Sequence, residues 1–219
     1  MLTLNCQAIL FDLDGTLIDS THRIQRLWVD WGNRNDIAPQ SILDVMHGRR
    51  AGETISLVAP HLSLTEELDA LETDEITDME GVKSYPGALE LLSQLAPERW
   101  AVVTSGSLRV AGARMRHIQL PIPEVFITGD DVKRGKPDPE GYLLAAGRLN
   151  VQPADCVVLE DSPAGVQAGK GAGMQVIAMA TTLGPEHLGQ ADVVVPQLTD
   201  ILLTVKSGGI QIEFKDTSR

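Results

Sequence analysis

The sequence has little cysteine and no long apolar run. Its two cysteines, Cys6 and Cys156, share neither a CxxC pattern nor a metal-ligand spacing, so we interpret them as small buried hydrophobic residues. No apolar stretch approaches the roughly 18 residues that a membrane-spanning helix needs. Residues 1–12 also lack the cationic section that precedes the apolar part of a secretory signal. From these absences we expect a soluble, non-exported protein of the cytoplasm.

Positive charge is also scarce, since 18 Lys and Arg residues stand against 30 Asp and Glu residues and give a net charge of −12. An acidic surface repels phosphate backbones and anionic lipids, so we expect neither nucleic acid nor a membrane as a partner. An anionic small substrate would need local positive charge or a metal ion. The composition, 43% hydrophobic and 22% charged, is typical of a globular domain. Nothing indicates an obligate oligomer, and we expect a monomer.

Short continuous apolar runs recur along the chain, with helix-like segments between them. Runs without polar alternation are typical of strands that are covered on both faces. Strands that alternate with helices predict an α/β fold with a parallel sheet wound on both sides. The six predicted strands are residues 8–11, 101–103, 125–127, 156–159, 175–178 and 193–195.

Two regions depart from this alternation. Residues 19–83 contain no comparable run and show apolar residues at helical spacing instead. A βαβ crossover needs far fewer residues, so we predict a small helical insert there and an α/β core formed by residues 1–18 and 84–219. Near the other end, residues 210–214 alternate between apolar and polar types and predict either an edge strand or a frayed end.

Two aspartates follow the first predicted strand, in the run Asp12-Leu13-Asp14-Gly15-Thr16. Side chains at i and i+2 of an extended chain point the same way, so both carboxylates leave the end of a buried strand together. Two close carboxylates ionise together only at a high cost unless a cation lies between them or one holds a proton. The pair can therefore supply a nucleophile and a proton donor. The alternative is a β-hairpin, because Asp-Gly between apolar runs is a strong turn signal.

Three more polar groups follow or precede predicted elements. Residues 104–106 end the second run, where a hydroxyl and backbone N–H groups can hold phosphate oxygens or simply cap a helix. Lys136 stands in a short loop before a helix, with a solvated surface charge as the alternative. Glu160 and Asp161 end the fourth run, where acids are also favoured by a helix N-terminus. The carboxyl ends of parallel strands share one edge of a sheet, so we expect these groups to meet the aspartate pair there.

In this order, the four groups resemble the four motifs of haloacid dehalogenase superfamily phosphatases. The resemblance extends over the chain to about Asp200. A closer resemblance is to the branch that acts on sugar and polyol phosphates, such as 2-deoxyglucose-6-phosphate and glycerol-phosphate phosphatases. The family's fold would make residues 19–83 a helical cap over the site of a Rossmann-like core. The segments that carry the closer resemblance are residues 47–50, 99–106, 126–128, 131–133, 160–165 and 168–170.

The resemblance implies a role for each group. Asp12 would attack phosphorus as the nucleophile and form an aspartyl-phosphate. Asp14 would protonate the leaving alkoxide and later deprotonate the attacking water. Mg²⁺ would be held by Asp12, the backbone carbonyl of Asp14 and Asp161, with Glu160 beside them. Lys136 would bind phosphoryl oxygens and neutralise charge beside Asp12. The other phosphoryl ligands would be Thr104, Ser105 and Gly106.

The implied cap carries a cluster that we expect to set specificity. His47, Arg49 and Arg50 surround Gly48, whose backbone permits a loop close to the substrate. We expect one or two of these three side chains to bind sugar hydroxyls or to shield the leaving group. The alternative is that the arginines are solvated on an acidic surface.

Three functions remain open at this point. We expect Mg²⁺-dependent hydrolysis of small sugar or polyol phosphate monoesters. Dehalogenation is disfavoured, because a halide needs no proton and that branch lacks the second aspartate, whereas Asp14 is present here. A phosphomutase would share all four motifs and is the main alternative. A non-catalytic binder of phosphorylated ligands is the third, although it would not need both Asp12 and Asp14.

Overall fold

A six-stranded parallel sheet lies at the centre of the computed structural model, which describes residues 3–215. Residues 1–2 and 216–219 of the predicted core lie outside the described residues. The described strands are β1 (Thr3–Cys6), β2 (Ala8–Phe11), β3 (Ile18–Asp19), β4 (Lys83–Ser84), β5 (Trp100–Val103), β6 (Val125–Ile127), β7 (Cys156–Glu160), β8 (Gln175–Met179), β9 (Val193–Val195), β10 (Ile201–Lys206) and β11 (Gly209–Phe214). The central sheet has the order β6-β5-β2-β7-β8-β9, and every neighbouring pair is parallel. It contains all six predicted strands, which confirms the α/β prediction.

Helices cover both faces of this sheet. The α-helices are α1 (Thr21–Arg34), α2 (Pro39–Met46), α3 (Ala51–Val58), α4 (Leu64–Thr77), α5 (Ala88–Ser93), α6 (Leu108–His117), α7 (Glu140–Arg148) and α8 (Pro163–Gly171). Ile9 and Phe11 of β2 belong to one hydrophobic cluster with residues of α5 and α6, whereas Ala8 and Leu10 belong to another with residues of α7 and α8. Because successive side chains of a strand point to opposite faces, the two helix pairs lie on opposite sides, and the doubly wound arrangement is confirmed.

Burial on two faces explains why the inner strands of this sheet are continuously apolar. Each fully buried side chain of this size contributes about 1.5–3 kcal/mol relative to an exposed one. The polar residues are consequently placed at the strand ends. None of the helices in residues 3–215 combines the length and the apolar character that crossing a membrane requires.

The chain leaves the central sheet just after β2. Asp12 still donates its backbone N–H to the carbonyl of Leu159 (2.9 Å), and a turn at Gly15 then leads into β3. Strand β3 pairs with β4, while β2 has parallel partners on both edges. The hairpin alternative for the Asp-Gly pair is therefore wrong, because no edge of β2 is open to an antiparallel partner.

Helices α1 to α4 occupy the chain between β3 and β4 and share a hydrophobic cluster of their own. Strands β3 and β4 lie side by side, with Ile18 opposite Ser84 and Asp19 opposite Lys83, so the helical segment leaves and rejoins the core at one place. Within the segment, Trp28 packs edge-to-face on Trp31 with 5.5 Å between ring centroids. The fully or nearly buried members of the cluster are Leu27, Trp28, Trp31, Ile42, Met46, Ile55, Ala59 and Leu71.

A second sheet of three antiparallel strands has the order β1-β11-β10. Both alternatives for residues 210–214 are therefore wrong, since β11 is the middle strand and is neither an edge nor frayed. Ile210 and Ile212 point into the core and account for the alternating pattern. The pairing of Thr3 with Glu213 joins distant parts of the chain, and no local pattern in the sequence carries that information.

Candidate active site at the carboxyl edge of the central sheet

Polar residues follow three adjacent strands of the central sheet at their carboxyl ends. Asp12 follows β2, Thr104 follows β5 and Asp161 follows β7. The strand order places β5, β2 and β7 next to one another, so the three residues meet at one edge. Lys136, in the loop between β6 and α7, reaches the same place, with its Nζ 2.5 Å from Oδ1 of Asp12. The topology thus brings together the four polar groups that the sequence places beside the strands.

A cavity of about 790 Å³ lies over this edge, between the core and the helical segment. Its volume is within the usual range of small-molecule sites. Every predicted site residue lines it except Glu160, which is fully buried behind it. The helical segment contributes residues of its four helices, α1 to α4, and of the loop after α2. The members from the segment that matter below are Trp28, His47, Arg49, Arg50, Glu72 and Glu75.

Lys136 is buried between two carboxylates. Its Nζ donates to Oδ1 of Asp12 and to Oε1 of Glu160, both at 2.5 Å, and to the carbonyl of Val103 at 3.1 Å. It also lies 5.3 Å from the ring centroid of Tyr142, within range of a cation–π contact. Burial lowers the pKa of Lys136, but the charges of Asp12 and Glu160 outweigh burial and raise this pKa well above its usual value. The lysine is therefore a fixed cation.

Glu160 has every oxygen engaged. Oε1 accepts from Lys136 and from the hydroxyl of Tyr142 (3.1 Å), and Oε2 accepts from the backbone N–H groups of Asp161 and Ser162 (2.9 Å each). Burial raises the pKa of Glu160, but Lys136 and the hydrogen bonds from Ser162 lower it below its usual value. A Cβ on Gly165 would lie 1.7 Å from Oε1, so only glycine fits at that point of α8. Glu160 is thus an ionised carboxylate that holds Lys136.

Asp12 and Asp161 leave the site with an excess of negative charge. Burial, and then the charges of Glu160 and Asp12, raise the pKa of Asp161 well above its usual value. Burial raises the pKa of Asp12 to about 8, although Lys136 opposes the shift. Oxygens of Asp12, Glu160 and Asp161 all lie within 4.8 Å of one another. Three carboxylates beside one lysine leave a net negative charge that a divalent cation would neutralise, and the carboxylate oxygens of Asp12 and Asp161 fit such a metal.

The turn after β2 is shaped around Asp161. Gly15 has φ +89°, and a Cβ there would lie 1.9 Å from Oδ2 of Asp161. The carbonyl of Gly15 accepts a hydrogen bond from the hydroxyl of Thr181. The Asp-Gly sequence thus brings a carboxylate from β7 against the loop that carries Asp12 and Asp14.

Asp14 lines the same cavity and has two polar partners. Its Oδ1 accepts from the hydroxyl of Ser20 (2.7 Å) and forms an ion pair with Nη1 of Arg114 at 2.7 Å. Arg114 is almost completely buried in α6, and its Nη2 is 2.9 Å from Oε1 of Glu75 in α4. The second acid of the pair is therefore connected to the helical segment through one arginine.

The loop after β5 has the polar backbone of an anion site. Thr104 is buried, and its Oγ1 accepts from the N–H of Gly106 (3.1 Å). Ser105 donates its hydroxyl to the carbonyl of Gly48 (2.7 Å), which joins this loop to the helical segment. Helix α6 begins directly after it, with Ser107 accepting from the N–H of Val110 as the N-cap. The loop therefore presents a hydroxyl and a helix N-terminus to the cavity.

The loop after α2 places its three predicted residues differently. His47 is partly buried, and burial lowers its pKa. Arg49 is exposed at the cavity. Arg50 is bound by Glu53 and donates to the carbonyls of Gly129, Val132 and Lys133 of the core. Its guanidinium is therefore already used in holding the helical segment against the core.

A protein-family model described as haloacid dehalogenase-like hydrolase matches residues 6–173, which include every predicted site residue. The chain belongs to this family. Escherichia coli (strain K12) Hexitol phosphatase A is 43% identical over 211 residues, covering 94% of this chain and 98% of that protein. Glycerol-1-phosphate phosphohydrolase 2 of Saccharomyces cerevisiae is 38% identical, covering 85% and 80%. The predicted resemblance to the sugar and polyol phosphatase branch is confirmed.

Solved structures show the same fold as this haloacid dehalogenase-like hydrolase. A mutant of CbbY from Rhodobacter sphaeroides, in complex with xylulose-(1,5)bisphosphate, superposes with a TM-score of 0.79 at 27% identity. The match covers 89% of this chain and 96% of that one.

The sequence reasoning missed several partners of the site residues, among them Tyr142 and Arg114. Tyr142 donates to Glu160, and Arg114 holds Asp14. A signal for Arg114 exists, because it stands three and four positions after Ala111 and Val110 on the apolar face of α6, where an arginine is unusual. Its partners come from other parts of the chain, and only the fold reveals them.

Proposed function

We propose that this haloacid dehalogenase-like hydrolase cleaves phosphate monoesters of small sugars or polyols, with Asp12 as the nucleophile. The observation that carries the proposal is the cluster in which Lys136 joins Asp12 to Glu160 while Asp161 and Asp14 face the same cavity. The fixed cation beside Asp12 opposes the rise in the pKa of Asp12 that burial causes, and it orients this carboxyl group at the cavity. The names of the two curated relatives support the substrate class.

Asp12 and Asp161, together with the backbone carbonyl of Asp14, would hold a divalent metal ion, and we propose Mg²⁺ because the ligands are all oxygens. When bound, the ion supplies Lewis-acid stabilisation of negative charge on the phosphoryl oxygens. Glu160 has no free oxygen, so we assign it to Lys136 rather than to the metal. Lys136, Thr104 and the backbone after Thr104 would bind the remaining phosphoryl oxygens.

In the first half of the reaction, an oxygen of Asp12 attacks phosphorus, and the bond from phosphorus to the ester oxygen breaks. Asp14 gives its proton to the departing alkoxide, which leaves as a neutral alcohol. The product on the enzyme is an aspartyl-phosphate. Proton donation is needed because an alkoxide is a far poorer leaving group than a halide.

In the second half, Asp14, now ionised, removes a proton from a water molecule that attacks the phosphorus of the aspartyl-phosphate. The bond between phosphorus and the Asp12 oxygen breaks, inorganic phosphate forms, and Asp12 is restored as a carboxylate. Asp14 again carries a proton, so the cycle is balanced.

We propose that residues 19–83 act as the cap that closes this cavity and selects the leaving group. His47 and Arg49 face the cavity from the loop after α2, and Trp28 and Glu72 line it from α1 and α4. These side chains are suited to hydroxyl groups and to the carbon face of a sugar or polyol. Arg50 is assigned to docking of the cap rather than to the substrate, because its donors are already engaged.

We also propose that the protein is a monomer, that it acts in the cytoplasm on a small phosphorylated sugar or polyol, and that it binds no nucleic acid. Both cysteines are buried free thiols, which suits a reducing compartment. Gel filtration at several protein concentrations tests the oligomeric state.

The direct test is incubation with a panel of hexitol, glycerol and hexose phosphates in Mg²⁺, with matched samples in EDTA. Release of inorganic phosphate that stops in EDTA and returns with Mg²⁺ is the expected result. Isomerised product without phosphate release would indicate a phosphomutase. Ligand binding without turnover would indicate a non-catalytic binder, and either outcome would overturn the proposal.

A further inference from the structure

Arg114 is a buried cation that the proposed chemistry does not use. It lies in the last turn of α6 with 3% of its surface exposed. Nη1 is 2.7 Å from Oδ1 of Asp14, and Nη2 is 2.9 Å from Oε1 of Glu75 in the cap helix α4. The planar fork of a guanidinium holds two carboxylates at fixed positions, which a lysine ammonium does less well. One side chain of the core thus binds both Asp14 and the cap.

The contacts of Asp14 are all on one of its two oxygens. Oδ1 accepts from the hydroxyl of Ser20 and is ion-paired with Nη1 of Arg114, and Oδ2 has no hydrogen-bond partner among residues 3–215. These two contacts on one oxygen orient the carboxyl group and leave the other oxygen for proton transfer. A misplacement of about 1 Å in such a group can cost roughly 100-fold in rate.

We propose that Arg114 is a positioning residue for Asp14, and that Glu75 makes this positioning depend on docking of the cap. The inference rests on the proposed function, because it takes Asp14 as the group that protonates the leaving alkoxide. Arg114 itself touches no reacting atom in the scheme. With the cap away, Arg114 would lose the Glu75 carboxylate, and Asp14 would lose part of the support that holds its orientation.

Arg109 provides a matched control on the same helix. It also joins α6 to α4, through Asp69 at 2.9 Å and the hydroxyl of Thr73 at 3.0 Å, but it makes no described contact with Asp14. Its side chain is 41% exposed. Loss of Arg109 therefore weakens docking of the cap without touching the proton donor.

The test compares kcat/KM for an alkyl phosphate, such as glycerol 1-phosphate or a hexitol phosphate, with kcat/KM for p-nitrophenyl phosphate. This parameter reports the steps up to departure of the leaving group. An alkoxide needs a proton from Asp14, whereas nitrophenolate leaves without one. Loss of general-acid assistance costs about 10²–10⁴-fold, and only the alkyl ester should bear that cost.

For Arg114→Met we expect kcat/KM for the alkyl ester to fall by roughly 100-fold or more, with a fall of less than about fivefold for the aryl ester. Glu75→Gln should lower the ratio of the alkyl-ester kcat/KM to the aryl-ester kcat/KM by a smaller factor. Arg114→Lys should retain more of the wild-type ratio than Arg114→Met does. Arg109→Met should lower both values equally or leave both unchanged. Circular dichroism and thermal melting establish that each variant is folded.

Equal losses on both esters in Arg114→Met and Glu75→Gln would show a merely structural role and overturn the inference. Should Arg114→Met fail to fold, the ratios for Arg114→Lys and Glu75→Gln decide the matter. A wild-type protein that releases phosphate from no alkyl ester would contradict the proposed function instead, so the two failures are distinguishable.

Discussion

At the residue scale, Lys136 is paired with two of the three buried carboxylates of the site. It binds Asp12 and Glu160 directly, and an oxygen of Asp161 lies within 4.8 Å of oxygens of both. A buried charge that loses its partner is strongly destabilising, so each member depends on the others. The excess of buried negative charge that favours a metal ion also makes the positive charge of Lys136 necessary.

We therefore expect Lys136→Met to abolish phosphatase activity and to lower the free energy of unfolding by about 3 kcal/mol, because Asp12 and Glu160 would remain buried without their cation. Urea unfolding in EDTA measures the second effect. Lys133→Met removes an exposed lysine from the same loop and should change stability by less than about 0.5 kcal/mol. Equal stability of both variants would contradict this account of the cluster.

Individual residue types indicated the chemistry of the site but not which residues contact one another in it. Asp12, Asp14, Lys136 and Asp161 were identified because each follows a predicted strand or precedes a predicted helix. Partners such as Arg114, Tyr142 and Thr181 come from other parts of the chain and follow from packing alone. The sequence also favoured both arginines after α2 equally, whereas hydrogen bonds to core carbonyls distinguish Arg50 from Arg49.

At the scale of elements, helix α8 is fitted closely to the end of β7. Its N-cap Ser162 donates its hydroxyl to Glu160 and accepts from the N–H of Gly165, whose missing side chain makes room for the Glu160 carboxylate. The helix can approach the strand this closely only because a glycine stands in its first turn.

Gly165→Ala should consequently destabilise the protein by about 1–3 kcal/mol and reduce activity, because the new methyl group displaces the carboxylate that holds Lys136. Gly147→Ala, in the exposed part of α7 with no atom within 4 Å of the added Cβ, should stabilise by about 0.4–1 kcal/mol. Thermal and urea denaturation measure the change in stability of each variant and therefore its sign. A neutral Gly165→Ala would show that Glu160 can move freely.

Elements were predictable where their signal is local. The six strands of the central sheet are continuous apolar runs, and the inner strands are covered on both faces, a pattern that is visible in the sequence. Strands β1 and β10 were missed. Strand β1 pairs with β11 across most of the chain, so no local pattern indicates it. Strand β10 forms a local hairpin with β11, but it leaves Leu202 and Val205 exposed, so its composition does not separate a core face from a solvent face.

At the scale of the whole molecule, the helical segment touches the core through a few polar contacts around the cavity. Arg50 binds three core carbonyls, Ser105 binds Gly48, and Arg109 and Arg114 bind acids of α4. The hydrophobic cluster of the segment is separate from the two clusters of the core. Such an arrangement is consistent with the cap role that we propose for this segment.

Arg50→Met should increase thermolysin cleavage in residues 129–135 and lower kcat/KM at least roughly tenfold, since hydrogen bonds from a charged group are worth about 1.5–3 kcal/mol. Arg49→Met, next to it and exposed, should raise KM for polyol phosphates without changing the rate of proteolysis. The same proteolysis rate in both variants and the wild type would contradict the assignment of Arg50 to docking.

The central claim is that Asp12 carries the phosphoryl group during turnover. Mass spectrometry of protein quenched in acid during steady-state turnover of a polyol phosphate tests it directly. We predict one phosphoryl group on the peptide that contains Asp12, lost on treatment with hydroxylamine, and none in Asp12→Asn, whose turnover is abolished. Phosphate release at the wild-type rate by Asp12→Asn, or a phosphoryl group found on another residue, would contradict the account.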